Sequence, residues 1–146
     1  MSTNTRHVRA TPLKVWEVLS DGWLYPVWVV GASRMRDVDA AWPAQGAKLH
    51  HSVGVWPLLI NDNTEVLESQ PGERLVLRGR GWPAGEVQIT ITLTAETDGT
   101  RVTILEDPVK GPAALIPKAV RTPLLAWRNT ETLRRLAFVV ENRARS

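Results

Sequence analysis

The chain has 146 residues, 43% of them hydrophobic and 23% charged, with a formal net charge of +3 and no cysteine. That is enough chain for one domain with a full core, in the composition range of a globular protein, and it excludes disulfides and thiolate chemistry. No run reaches membrane-spanning length and the N-terminus lacks a basic-then-apolar leader, so a cytoplasmic location is expected.

A short strand is predicted over 3–10. A helix follows, capped by Thr11 with Pro12 at its first position; Leu13, Trp16, Val18 and Leu19 form its apolar stripe, and it stops near Asp21-Gly22. A second helical turn is expected over 23–29, interrupted by Pro26. From about residue 30 the period changes to two, giving strands over 30–40, 47–55, 61–69, 74–80, 86–94 and 100–107. Val87, Ile89, Ile91 and Leu93 alternate with Glu86, Gln88, Thr90 and Thr92, the pattern of a half-buried antiparallel strand. Asp98-Gly99 is a hairpin turn signal, and Pro43, Pro57, Pro71 and Pro83 fall between strands, where a missing donor does no harm. The last element is a helix over 123–143, roughly 30 Å long at about 1.5 Å per residue. Leu125, Asn129, Thr132, Leu136 and Val140 share one face of it, flanked by Leu133 and Val139. Strand, two helices, six strands and a long amphipathic helix make an α+β layout, with one curved antiparallel sheet wrapped around the final helix.

Three of the connections are apolar: Trp56-Pro57-Leu58-Leu59-Ile60, Gly81-Trp82-Pro83-Ala84-Gly85 and Gly111-Pro112-Ala113-Ala114-Leu115-Ile116-Pro117. The ones between them, Ser69 to Glu73 and Ala95 to Gly99, are polar. Alternate connections of an up-and-down sheet fall at opposite ends, so the apolar loops are expected to crowd one end and mark a mouth, a partner surface or a membrane contact. The basic excess lies mainly after residue 117, where Lys118, Arg121, Arg128, Arg134, Arg135, Arg143 and Arg145 meet only Glu131 and Glu141. No nucleic-acid motif accompanies it, so a solvated helix face is expected rather than a nucleic-acid partner.

The order of elements resembles the helix-grip fold of the SRPBCC superfamily, the START-like and birch-pollen-allergen-like proteins, and within it the bacterial polyketide cyclase/dehydrase branch. The residues that carry the resemblance are Ala10 to Trp16 opening the first helix, Trp28 after it, and Gly46 before the third strand. Further along they are Pro71-Gly72-Glu73-Arg74-Leu75, Asp98 to Val102 and Arg128 to Leu136. The resemblance implies one START-like domain over 1–146 and a cavity between the sheet and the last helix, holding lipids, polyketides or other hydrophobic molecules. Fold alone does not give function.

Strand alternation decides which polar side chains face such a cavity. His51 shares a face with Leu49, Val53 and Val55, and Glu106 with Val102 and Ile104. Both are therefore expected inward, beside Asn129 and Thr132 from the helix. A histidine near a carboxylate titrates near neutrality and is a candidate general acid or base. The competing readings are a hydrogen-bonded lining histidine and a structural salt bridge from Glu106 to Arg128. Arg34 and Arg36 share a face with Val38, either toward an acidic ligand or toward solvent.

Seven tryptophans stand against one tyrosine and one phenylalanine. Trp23, Trp28, Trp56 and Trp82 are the pocket candidates, Trp16 reads as core, Trp42 belongs to the opposite end of the sheet, and Trp127 lies off the main apolar face of its helix. Trp42, Trp56 and Trp82 each precede a proline, where a cis bond would be sought. Neither a cofactor nor a metal is expected: there is no glycine-rich phosphate loop, and adjacent His50 and His51 face opposite sides of a strand.

The first functional reading is binding or carrying of a hydrophobic, lipid- or polyketide-like small molecule. The alternatives are a polyketide cyclase, aromatase or dehydratase with His51 or Glu106 moving protons, and an interaction module docking a protein or a membrane surface through the apolar loops. Oligomeric state is open from sequence.

Overall fold

The structure, a computed structural model, describes residues 2–28, 32–53, 60–81, 85–110 and 118–144, with side chains at 3–25, 27–28, 37–50, 63–79, 86–107 and 126–143. Seven strands run β1 (Ser2–Val8), β2 (Ala32–Val38), β3 (Lys48–Val53), β4 (Ile60–Gln70), β5 (Arg74–Gly81), β6 (Gly85–Glu96) and β7 (Gly99–Lys110). The helices are α1 (Pro12–Leu19), α2 (Tyr25–Trp28) and α3 (Lys118–Ala144), with one 3-10 turn at Gly22–Leu24. The strands form one antiparallel sheet in the order β1-β7-β6-β5-β4-β3-β2. The short β1 pairs over its whole length with β7, from Ser2 opposite Glu106 to Val8 opposite Thr100.

The local chemistry follows the sequence closely. Thr11 caps α1 by accepting from the Lys14 amide at 3.3 Å, with Pro12 behind it in the first turn. The helix then buries Val15, Val18 and Leu19 against the sheet. Gly22 lets the next turn lie on β2 and β3: a Cβ there would stand 2.5 Å from a Leu49 methyl and 2.8 Å from Val38. The indole of buried Trp42 donates to the Leu19 carbonyl at 3.1 Å, locking the β2–β3 connection to the end of α1, and the Trp42–Pro43 bond is cis.

Several boundaries differ from the sequence expectation, among them the start of the last helix and the turn before β7. Helix α3 opens at Lys118 and runs through Pro123 instead of starting there. Pro123 suits a first turn, but the chain takes it into the helix, where it removes one main-chain donor. The β6–β7 hairpin turns on Thr97-Asp98 rather than Asp98-Gly99: Asp98 takes φ 62°, and Gly99 already pairs with Glu96. A side chain at Gly99 would collide with the Val8 carbonyl of β1, so the glycine serves close strand approach.

The core lies between the sheet and α3. Leu49, Val66, Leu75, Leu77, Ile91, Val102 and Ile104 of the sheet are buried with Leu133, Leu136, Ala137 and Val140 of the helix. Of the face expected inward, Asn129, Thr132, Leu136 and Val140 are buried; the Leu125 side chain lies outside the described residues. Trp127 and Phe138 stand on the outer side, 68% and 67% exposed. Asn4 of β1 donates to Thr130 Oγ1 at 3.2 Å, and the Arg9 amide donates to Glu141 at 2.9 Å, fastening the helix to the edge strand and to the residue just beyond it.

The strand ends at Val53/Ile60, Gly81/Gly85 and Lys110 share one end of the sheet. The apolar connections leave from that end and the polar turns from the other. The connecting segments themselves, with Trp56 and Trp82, lie outside the described residues.

Candidate functional site

Polar side chains gather inside this otherwise apolar interior. On β7 the inward row Val102, Ile104, Glu106 is 0%, 2% and 1% exposed, so alternation carries a carboxylate into the core. Arg128 of α3 reaches back and donates from Nη2 to Glu106 Oε1, and its own side chain keeps 37% of its surface in solvent. The pair closes Glu106 as a buried, compensated charge.

Tyr25 and Thr64 complete the floor. One helical turn separates Tyr25 from Trp28 on α2, and their rings meet edge to face at 5.4 Å and 68°. The Tyr25 hydroxyl is hydrogen-bonded to Thr64 of β4. Burial pushes the phenol above its ordinary value of 10.0, Thr64 pulls it back, and the Glu106 and Arg128 charges act in opposite directions. Thr64 is 1% exposed and faces Gly79 of β5, which puts no side chain on the sheet between Thr64 and Val87.

Two donors in this region are left open. Trp28 Nε1 and Asn129 Nδ2 are buried without a hydrogen-bond partner among the described residues, on residues each 4% exposed. They belong to α2 and α3, which pack together. Trp28 is tied to the cluster through Tyr25, and Asn129 follows Arg128 in the chain. An unmet buried donor costs about 1–3 kcal/mol, and native proteins leave few of them.

The sequence-derived candidates thus separate. Trp28, Glu106, Asn129 and Thr132 are all buried. Trp23 is not with them: it is 56% exposed and lines an outer groove of about 390 Å³ with Glu17, Asp21, Val38, Asp39 and Trp42. The reason is the 3-10 turn, which points Trp23 away while Gly22 meets the sheet. On that side His50 bonds Asp39 at 3.0 Å, which holds the Asp39 carboxyl below its ordinary value. His51 lies in β3 opposite Met35 and Asp62; its side chain, like those of Arg34, Arg36, Trp56 and Trp82, lies outside the described residues. Glu106 is taken by Arg128, as the salt-bridge reading expected.

Tyr25 and Thr64 went unselected by sequence reasoning. Thr64 was legible, two residues from Val66 on an alternating strand. Tyr25 was not, because Pro26 hid the helical phase of its segment.

A seven-stranded antiparallel sheet closed on a long C-terminal helix, with two short helices after the first strand, is the helix-grip fold of the SRPBCC superfamily. Solved structures agree. The di-domain ARO/CYC StfQ from the steffimycin biosynthetic pathway superposes with a TM-score of 0.72 at 13% identity, over 99% of this chain and 51% of that one. Ara h 8.0201 gives 0.71 at 12% identity, over 94% and 95%. A Rhodobacter sphaeroides protein gives 0.72 at 23% identity, over 94% and 90%. The chain belongs to the polyketide cyclase / dehydrase and lipid transport family, which it matches over residues 2–141. A search of curated proteins finds no match. No helix among the described residues is long and apolar enough to cross a membrane.

Proposed function

We propose that this protein binds or carries a hydrophobic small molecule, lipid- or polyketide-like, in the interior between the concave sheet and α3. The observation that carries the reading is the pair of buried open donors, Trp28 Nε1 and Asn129 Nδ2, in an interior that also holds the Tyr25–Thr64 and Glu106–Arg128 pairs. A purely structural core gains nothing from donors held dry and unmet. A bound molecule with an acceptor would satisfy them, while the surrounding apolar side chains take up its hydrocarbon. The family description, which names both cyclase/dehydrase activity and lipid transport, fits such a molecule.

Carriage is favoured over turnover because Glu106, one of the two acid–base candidates, is held by Arg128 rather than facing an open site. Native mass spectrometry of protein purified from its own source, followed by solvent extraction, tests the reading. The expected result is a stoichiometric apolar adduct released on denaturation. Protein that is ligand-free and takes up no hydrophobic molecule from an extract of that source would overturn it.

A further inference from the structure

We infer that the interior site selects an uncharged hydrogen-bond acceptor, a ketone, ester or amide carbonyl on an otherwise apolar molecule, held between Trp28 Nε1–H and the Asn129 amide. This rests on the reading of the interior as a ligand site and adds the chemistry of the ligand's polar end.

Three features set that chemistry. An indole N–H donates and cannot accept, so the group that meets Trp28 must offer a lone pair. Asn129 contributes a second open donor, from the helix that packs on α2. A single carbonyl oxygen carries two lone pairs and can accept from both N–H groups at once.

Charge supplies the selectivity. Among the described residues, Arg128 is the cation bonded to Glu106, and Glu106 is 1% exposed. A ligand carboxylate would enter beside a buried carboxylate whose counter-charge is spent. Like charges repel strongly where water is excluded. A neutral carbonyl meets no such opposition. A pure hydrocarbon fills the apolar surroundings but leaves both donors unmet, and sites with buried polar groups reject ligands that cannot pair with them.

The test compares 2-nonanone, nonane and nonanoate, delivered from cyclodextrin to the full ¹⁵N-labelled chain and followed by the indole and side-chain amide resonances. Trp28→Phe identifies the Trp28 indole signal. The ketone should bind at least about ten-fold more tightly than nonane or nonanoate, consistent with pairing of buried donors, and should move the Trp28 indole proton downfield. In Asn129→Leu and in Trp28→Phe, each checked for a cooperative thermal transition, the ketone-to-nonane affinity ratio measured within each variant should shrink toward one. Equal binding of ketone and nonane would overturn the inference and leave the apolar site standing. Tightest binding of nonanoate would also overturn it. Failure of all three to bind would remove the ligand site itself, and the inference with it.

Discussion

Replacing Arg128 by methionine should cost far more than its position on the helix surface suggests. The Glu106 side chain is 1% exposed and that of Arg128 is 37% exposed, so the two partners of one ion pair have unequal escape routes. Without Arg128 the carboxylate stays in the core with no cation, a situation that costs about 3–5 kcal/mol. Without the carboxylate, in Glu106→Gln, the long arginine side chain turns its head to water, and the loss is about 1–2 kcal/mol. The double variant places a neutral amide beside methionine. It should therefore be more stable than Arg128→Met alone, with a coupling of about 2–3 kcal/mol. Urea denaturation of the four proteins, with unchanged m-values, measures all three quantities. An Arg128→Met cost below about 1 kcal/mol, the range of exposed pairs, would refute the buried-pair account. So would an Arg128→Met variant no less stable than Glu106→Gln.

Tyr25 is the one tyrosine of the chain, so phenolate absorbance reports it alone. Its midpoint should lie above 10.0 because burial raises it. With a raised folded value, its contribution to stability is whole below pH 10.0 and is lost as pH climbs through the folded value; a midpoint at or below 10.0 would show a solvated phenol. Glu131 is held down to about 2 by Arg134 first and Arg135 second. Carboxyl ¹³C shifts should therefore titrate near 2 and return toward 4.5 in Arg134→Ala, with the favourable contribution present above pH 4.5 and lost as pH falls through the folded value of about 2. Leu136→Ala, at a fully buried site, should cost about 2–5 kcal/mol by denaturant unfolding. Gly22→Ala drives a methyl into Leu49 and Val38 and should cost about 1–3 kcal/mol; a variant as stable as the parent would show that the 3-10 turn does not rest on the sheet.

The fold was legible because its signals are local and periodic. Val87 to Leu93 alternate through a half-buried strand, Thr11 and Pro12 open α1, and Asn129, Thr132, Leu136 and Val140 recur at helical spacing and are buried together. Boundaries at prolines were less so: Pro123 reads as a first-turn residue, yet α3 already runs from Lys118. The site was legible in its long-range parts and obscure in its short ones. Strand parity put Glu106 inside and helix phase put Asn129 and Thr132 there. The segment 22–28 gave no usable phase, so Trp23 and Trp28 looked alike, although one is 56% exposed and the other 4%. That Asn129 Nδ2 stays open is a fact of three dimensions. Glu106 is engaged by Arg128, the residue before Asn129, in an ion pair between β7 and α3.

A crystal structure of the protein with its co-purified contents tests the central claim most directly. The account predicts density for an elongated apolar molecule between α3 and the sheet, with one oxygen within hydrogen-bonding distance of both Trp28 Nε1 and Asn129 Nδ2. An interior packed solid, with those two donors bonded to protein groups and no space for a ligand, would contradict it.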